Sequence, residues 1–453
     1  MTLNSKILNT LSIIMLLSSK IILTYDNSHF YRAHFFNSEP RLDKNYLSSF
    51  DIIFGAGSTC KGINAQGSKT CLLDICGCYN MQYLGKNVQK DLTKESDLIL
   101  QQLEQTETNN LGLLSFSGEF KTVEADLSFY QNFKNGFFIN LHIPIRKLEM
   151  TQIKYKDVSC SNCVTCNNGC TSCASCSCAS CSCASCSCDN NYACSTCADN
   201  SNPYWQAFLN SFNTILSDHD LSIAPVSQSG LGDISAVLGY TINYEDSKDF
   251  DFLDSTFKFG IITPSSKIKN ENCVFSLPLG YNGHTGVFGS VDAAFGVYDW
   301  ATLGLHLDAI LFNKICKNLR IKTACEQSGL IKLQKDTARE KMGNIYNATA
   351  YFKADHVVGG FSLLAGYSYS AKQNNELDCF KNNCSDCEIA NTDCSLQKWN
   401  MHTINLIAEY DLANDIKKYS PRISAFYNIV AGGKRIFKTN VGGAGVGLDI
   451  TWK

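Results

Sequence analysis

Residues 286–312 read GVFGSVDAAFGVYDWATLGLHLDAILF, and the apolar side chains fall on alternate positions from end to end. In the first half Val287, Val291, Ala293, Phe295 and Val297 share one face, and Ser290 and Asp292 the other. In the second half Ala301, Leu303, Leu305, Leu307, Ala309 and Leu311 oppose Thr302, His306 and Asp308. A period of two belongs to extended chain. The stretch is therefore two long strands around a tight turn at Asp299, each with one unbroken apolar face.

Outward from this hairpin the same pattern recurs. In TVEADLSFYQNF (122–133), Val123, Ala125, Leu127 and Phe129 oppose Thr122, Glu124, Asp126 and Ser128. Strands follow at 49–57, 119–132, 135–157, 229–245, 253–264, 286–298, 300–312, 346–357, 360–372, 399–412, 420–431 and 437–452, which makes twelve. Most reach or exceed the ~9–11 residues a tilted strand needs to cross a bilayer. Phe133, Phe137, Tyr240, Tyr244, Tyr298, Trp300, Trp399 and Trp452 stand near strand ends, where an interfacial aromatic girdle belongs. In the tail GVGLDITWK, Val446, Leu448, Ile450 and Trp452 continue the apolar face to the last strand.

The connections support a barrel. Alternate ones are short (134–136, 245–251, the turn at Asp299, 357–360 and 411–419), while 58–118, 158–228, 265–285, 313–345 and 373–398 are long. Only 432–436 breaks the rule. Short turns on one side and long loops on the other are the signature of an outer-membrane barrel. The expected fold is all-β, an antiparallel transmembrane barrel of about 12 strands with long loops on one side.

Composition fits this class and excludes others. The chain has 453 residues and a net charge of −3, with no basic block of the kind that marks a nucleic-acid partner. MTLNSKILNTLSIIMLLSSK places Lys6 before an apolar run that is too short for a transmembrane helix, so residues 1–24 read as a signal peptide. Residues 25–453 are then one barrel domain. Ahead of the first strand, no segment reads as a plug. KDLTKESDLILQQLEQT (90–106) and PYWQAFLNSFNTIL (203–216) are amphipathic and read as helices inside the first two long loops.

All 24 cysteines fall in the five long connections. Cys60, Cys71, Cys76 and Cys78 belong to the first, and Cys379, Cys384, Cys387 and Cys394 to the fifth. The second holds Cys160, Cys163, Cys166, Cys170, Cys173, Cys176, Cys178, Cys181, Cys183, Cys186, Cys188, Cys194 and Cys197, around the repeat CTSCASCSCASCSCASCSC. These three sets are the disulfide candidates; Cys273, Cys316 and Cys325 stand in the third and fourth loops. Segregation to one side fits an oxidising exterior, where thiols become cross-links. Cys76, Cys78 and Cys384 are candidate partners for the odd cysteine of the tract. Thiolates at C-x-C and C-x-x-C spacing could instead share a soft metal, and a low-complexity insert at 160–197 without one fixed connectivity is the third reading. No metal site or cofactor is assigned.

In a lipid-surrounded barrel the polar strand faces turn inward. The pore-lining candidates are Glu124, Asp126, His142, Arg146, Asp233, Lys258, Asp292, His306, Asp308, Lys353, Asp355, Glu409, Arg422 and Asp449, with Asp254, Asn405 and Asp411 on the same face. Acidic groups prevail, so the lumen is either a narrow cation-favouring path or a closed salt-bridge network. His306 and Asp308 lie on one strand without a serine nucleophile motif, and no P-loop, dinucleotide fingerprint or HExxH is present, so no enzyme is expected.

At GLGDISAVLGYTINYE, STFKFGIITPSS and LGYNGHTGVFGSVDAAFGVYDWATLGLHLDAILF the chain resembles Gram-negative outer-membrane channels of the broad fatty-acid and aromatic-compound type, including the phenol-pathway channels. The resemblance implies a bacterial outer-membrane location, membrane lipid as surroundings, and passive uptake of a small solute. The cysteine-rich loops depart from that pattern. They suggest the other reading, a disulfide-stapled surface or adhesion barrel without conductance.

Overall fold

The computed structural model describes residues 28–36, 46–106, 112–159, 202–245, 251–298, 300–379, 384–412 and 418–452. The signal-peptide reading and the cysteine tract lie outside them. Twelve barrel strands run β1 (Tyr46–Thr59), β2 (Leu113–Asn132), β3 (Phe137–Asp157), β4 (Ser235–Glu245), β5 (Phe252–Ile262), β6 (Gly286–Tyr298), β7 (Ala301–Phe312), β8 (Ile345–Val358), β9 (Phe361–Lys372), β10 (Trp399–Asp411), β11 (Tyr419–Lys434) and β12 (Val441–Trp452). Each pairs antiparallel with the next, and β12 returns to β1 in the register Tyr46↔Trp452 through Ala56↔Gly442, closing the sheet. Closure leaves no barrel edge unpaired, as a bilayer requires.

Alternation sets the two faces of the wall. Phe54, Val123, Phe259, Leu303 and Val446 are more than half exposed on the outside. Glu124, Asp292, His306 and Asp308, next to such residues in sequence, are buried inside. At the turn end Tyr298 stacks on Trp300 with ring centroids 6.1 Å apart, and Phe137 meets Tyr240 at 4.7 Å. Trp399 departs from the expected girdle: it is 6% exposed and turns into the barrel mouth. The β2–β3 turn uses Asn135 and Gly136 with φ of 71° and 86°, the positive values that suit a right-twisted hairpin.

The expected strand 229–245 is broken. A short piece, Val226–Leu231, pairs with β3 over Ile145–Met150, and β4 resumes at Ser235. Between them Asp233 turns inward and accepts from the backbone N–H groups of Ser266 (3.0 Å) and Tyr281 (2.5 Å). Satisfying these two third-loop donors takes precedence over continuing the ladder.

At the loop end the long connections form a cap with a core of its own. Helix α1 (Glu95–Glu104) buries Ile99, Leu100 and Leu103, and helix α2 (Pro203–Asp218) buries Trp205, Phe208, Phe212 and Ile215 in the same cluster. Pro203 at the first turn and the Asn202 side chain, which accepts from the N–H groups of Tyr204 and Trp205, start α2. His219 Nε2 meets Asp97 Oδ1 at 3.0 Å and ties the two helices. The fourth and fifth loops add a separate three-stranded sheet, Lys314–Arg320, Lys335–Lys341 and Glu376–Cys379, on its own cluster of Leu319, Ala338, Leu377, Ala390 and Leu396. Helix α3 (Cys384–Asn391) follows its last strand.

Candidate solute path through the barrel

The lumen holds a segment that alternation does not reveal. Residues 28–36, SHFYRAHFF, lie inside the barrel ahead of β1, with Tyr31 and Ala33 fully buried and Arg32 2% exposed. The reading that no segment ahead of the first strand forms a hatch is therefore corrected. The connection after β11 folds inward to meet the plug: Phe437 N donates to Phe30 O (2.8 Å), and Ala33 N donates to Thr439 O (3.0 Å). Ring contacts fix its sides, Phe30 on Phe437 (5.3 Å), Phe35 on Phe426 (4.9 Å) and Phe36 on Tyr351 (5.1 Å). A Cβ on Gly304 would stand 2.0 Å from the Tyr351 ring, so glycine there lets the ring lie against the wall.

Wall and plug are joined by charge. Arg32 meets Glu124 at 3.3 Å, Glu124 meets Arg146 Nε at 3.6 Å, and Arg146 Nη1 lies 2.9 Å from both His29 Nε2 and the Leu279 carbonyl oxygen. One guanidinium thus touches the wall, the plug and the third loop. A second chain of contacts begins at Tyr351, whose hydroxyl donates to Asp292 (3.2 Å). It continues from Asp292 to His306 Nδ1 (3.2 Å) and from His306 Nε2 to Asp308 (3.7 Å). Asn347 Nδ2 donates to Asp308 (2.5 Å), and Ser28 of the plug donates to Asn347 Oδ1 (3.0 Å). Groups that alternation only placed on a common face are here joined to the N-terminal segment.

The remaining candidates also point inward. His142 Nε2 is 3.2 Å from Asp126, and Lys258 and Asp254 are buried. Asn405 donates to Ser368 (2.6 Å). Toward the turn end, Arg422 gathers Asp51 (2.8 Å), Asp449 (3.4 Å) and Glu409 (3.5 Å), with Asp411 opposite it in register, and Lys353 pairs with Asp355 (2.7 Å). These groups are only partly buried, and carboxylates outnumber cations among them. Asp51 lies in regular alternation between Phe50 and Ile52 and was missed because Ile53 and Gly55, on the same face of β1, blur its polar stripe. Among the described residues, no three His, Cys, Asp or Glu side chains converge as metal ligands.

Above the plug, between it and the cap, lies a cavity of about 230 Å³. Its wall is mainly apolar, from Phe30, Ile75, Phe275, Leu319, Leu377, Leu396 and Trp399, and Lys372 and Arg435 also reach it. Lys372 Nζ meets the Gln373 carbonyl at 3.4 Å and Arg435 Nη1 the Lys398 carbonyl at 3.3 Å; among the described residues, neither forms a direct ion pair, and the Glu340 charge acts on Lys372 from a distance. Buried beside the cavity, Glu340 faces His284 Nε2 (3.3 Å), Lys317 and the Asn375 amide (2.6 Å). Burial alone would raise its pKa, but His284 and Lys317 outweigh it and hold the carboxyl well below its ordinary value.

The Cys76–Cys394 disulfide stands in the same wall and joins the first loop to the fifth. Cys76 is thus committed to the fifth loop, which corrects its candidacy as a partner of the tract. Cys387 is also disulfide-bonded.

A closed twelve-stranded barrel with an apolar exterior and a charged, partly plugged interior defines the class as a transmembrane β-barrel of the outer-membrane type. No family model and no curated protein matches the chain. Among solved structures it is similar to the COG4313 outer membrane channel from Pseudomonas putida F1, at 11% identity and TM-score 0.43, over 92% of this chain and 100% of that one. It is also similar to the TodX monoaromatic hydrocarbon channel deltaS2S3 mutant (9%, 0.31, 91% of each chain) and to a Pseudomonas aeruginosa FadL homologue (7%, 0.26, 90% of each). Scores this low carry no solute over to this chain.

Proposed function

We propose that the protein is a bacterial outer-membrane channel for passive uptake of a small solute, exported with its leader removed and with its cysteine-bearing loops outward. The observation that carries this reading is the cavity under the cap, which lies in line with the charged lumen and is separated from it by the short 28–36 plug. A solute with an apolar body suits the cavity wall, and one that passed the plug would meet the acidic turn end around Asp51, Glu409 and Asp449. Water-filled paths lined by one sign of charge favour the opposite ion. Ionic current should therefore favour cations. Reversal potentials in a salt gradient test this: Asp292→Asn and Asp308→Asn should each lower the cation preference, and an anion-selective wild type would contradict the acidic-lumen reading.

The second reading, a surface barrel without conductance, draws on the cap, whose own packed core and disulfide exceed what a simple pore mouth needs. Correctly folded protein that passes no current in any state would favour it.

A further inference from the structure

The registers of β9, β10 and β11 stack their inward side chains in levels down the lumen. Lys372 pairs with Trp399 at the top, and both line the cavity. The next level holds Ser370, Ser368, Thr403, Asn405 and Asn428, with Ser368 opposite Thr403 and Asn405 opposite Asn428. Below them lie Leu364, Ile407 and Phe426, in register across the three strands, and below those Ser362, Glu409 and Ser424. From the cavity to the turn end this wall is thus polar, apolar and acidic in turn. In the polar level the hydroxyls of Ser370 and Thr403 and both amide atoms of Asn428 have no hydrogen-bond partner among the described residues, and all three side chains are at most 1% exposed. Buried polar groups are ordinarily paired, and leaving several unpaired in one patch is costly. Water or a hydrogen-bonding solute would supply the partners that the closed arrangement withholds. The plug meets this side of the wall with rings: Phe35 lies on Phe426 (4.9 Å), and Phe36 packs in one cluster with Leu364 and Ile407. The polar ties described above fall on other strands, Arg32 on Glu124 of β2, His29 on Arg146 of β3 and Ser28 on Asn347 of β8.

We propose that the solute path past the plug follows the inner faces of β9, β10 and β11, and that Phe35 and Phe36 close it as an apolar gate against Leu364, Ile407 and Phe426. The proposal rests on the channel reading and adds to it the side of the lumen and the residues that gate it. An apolar constriction stops water and ions by dewetting while its rings touch, and passes them when the rings swing aside. The plug need not leave for this, because its charged ties are to other strands.

The test is single-channel recording of the full-length protein in planar bilayers, with potassium chloride as the permeant salt. Phe35→Ala/Phe36→Ala should raise the time-averaged current severalfold, and Phe35→Leu/Phe36→Leu should hold it near the wild-type level. Protease cleavage within 28–36 should stay at the wild-type rate in both, since the charged ties are untouched. In the alanine background, Thr403→Val/Asn428→Leu should lower the current severalfold with heat-modifiable migration intact, whereas Thr122→Val, which removes a buried hydroxyl of β2, should not. Should the double change prevent folding, Asn428→Leu alone carries this arm. A current unchanged by the alanine pair in folded protein overturns the gate, as does a rise that comes only with faster cleavage of 28–36, which marks undocking. A rise that Thr403→Val/Asn428→Leu leaves untouched overturns the path along β9, β10 and β11. Removal of 28–36 separates the two readings: a deletion that conducts where the alanine pair does not removes the gate and leaves the channel, and a folded deletion without current removes the channel reading and the gate with it.

Discussion

Arg32 brings a charge into the barrel at 2% exposure and meets Glu124, which is 4% exposed. Removing one member of a buried pair costs up to ~3–5 kcal/mol where the other is left with no counter-charge, and less where a second one stands by. Arg146 remains near Glu124 in Arg32→Ala, so the wall survives and the loss falls on the docking of the plug. The expected outcome is faster protease cleavage within 28–36 with unchanged heat-modifiable migration; equal cleavage of variant and wild type would contradict the role given to this pair. Glu340 gives a pH dependence of known sign. Its folded pKa lies below the ordinary 4.5, so its stabilisation is complete above that value and is lost as pH falls from 4.5 toward the depressed folded value. Hydrogen exchange of 314–341 should rise on acidification through this window, and Glu340→Gln should flatten the dependence, with exchange already raised at neutral pH.

Among the elements, the strands were legible because the lipid and the lumen impose opposite chemistry on alternate positions: Val123 and Glu124 cannot exchange faces without placing a carboxylate in hydrocarbon. Helices α1 and α2 were legible for the same kind of reason, a one-sided apolar stripe facing the cap core. The plug was not. SHFYRAHFF has no period, since it is enclosed on all sides, and its sequence signal is a density of aromatic, histidine and arginine side chains ahead of β1. The break at 232–234 was also hidden, because the groups that draw Asp233 inward, Ser266 and Tyr281, lie 33 and 48 positions away. The Cys76–Cys394 pairing spans 318 positions, and spacing could name the cysteines but not their partner.

For the whole molecule, stability resides in the closed wall, and the loops are carried on it. The tract at 160–197 offers alanine and serine between its cysteines, too small to build a core. Lengthening a loop costs only ~0.6 kcal/mol per doubling. Deleting 160–197 should therefore leave heat-modifiable migration intact, and loss of the folded band would show that the tract is structural. The central proposal is that this barrel is a channel whose lumen is narrowed by its segment 28–36. Single-channel recording in planar bilayers of the wild type and of a variant lacking 28–36 tests it most directly. The account predicts small or intermittent currents for the wild type and a steady, larger, cation-selective conductance for the deletion; a folded deletion variant that passes no current would contradict it.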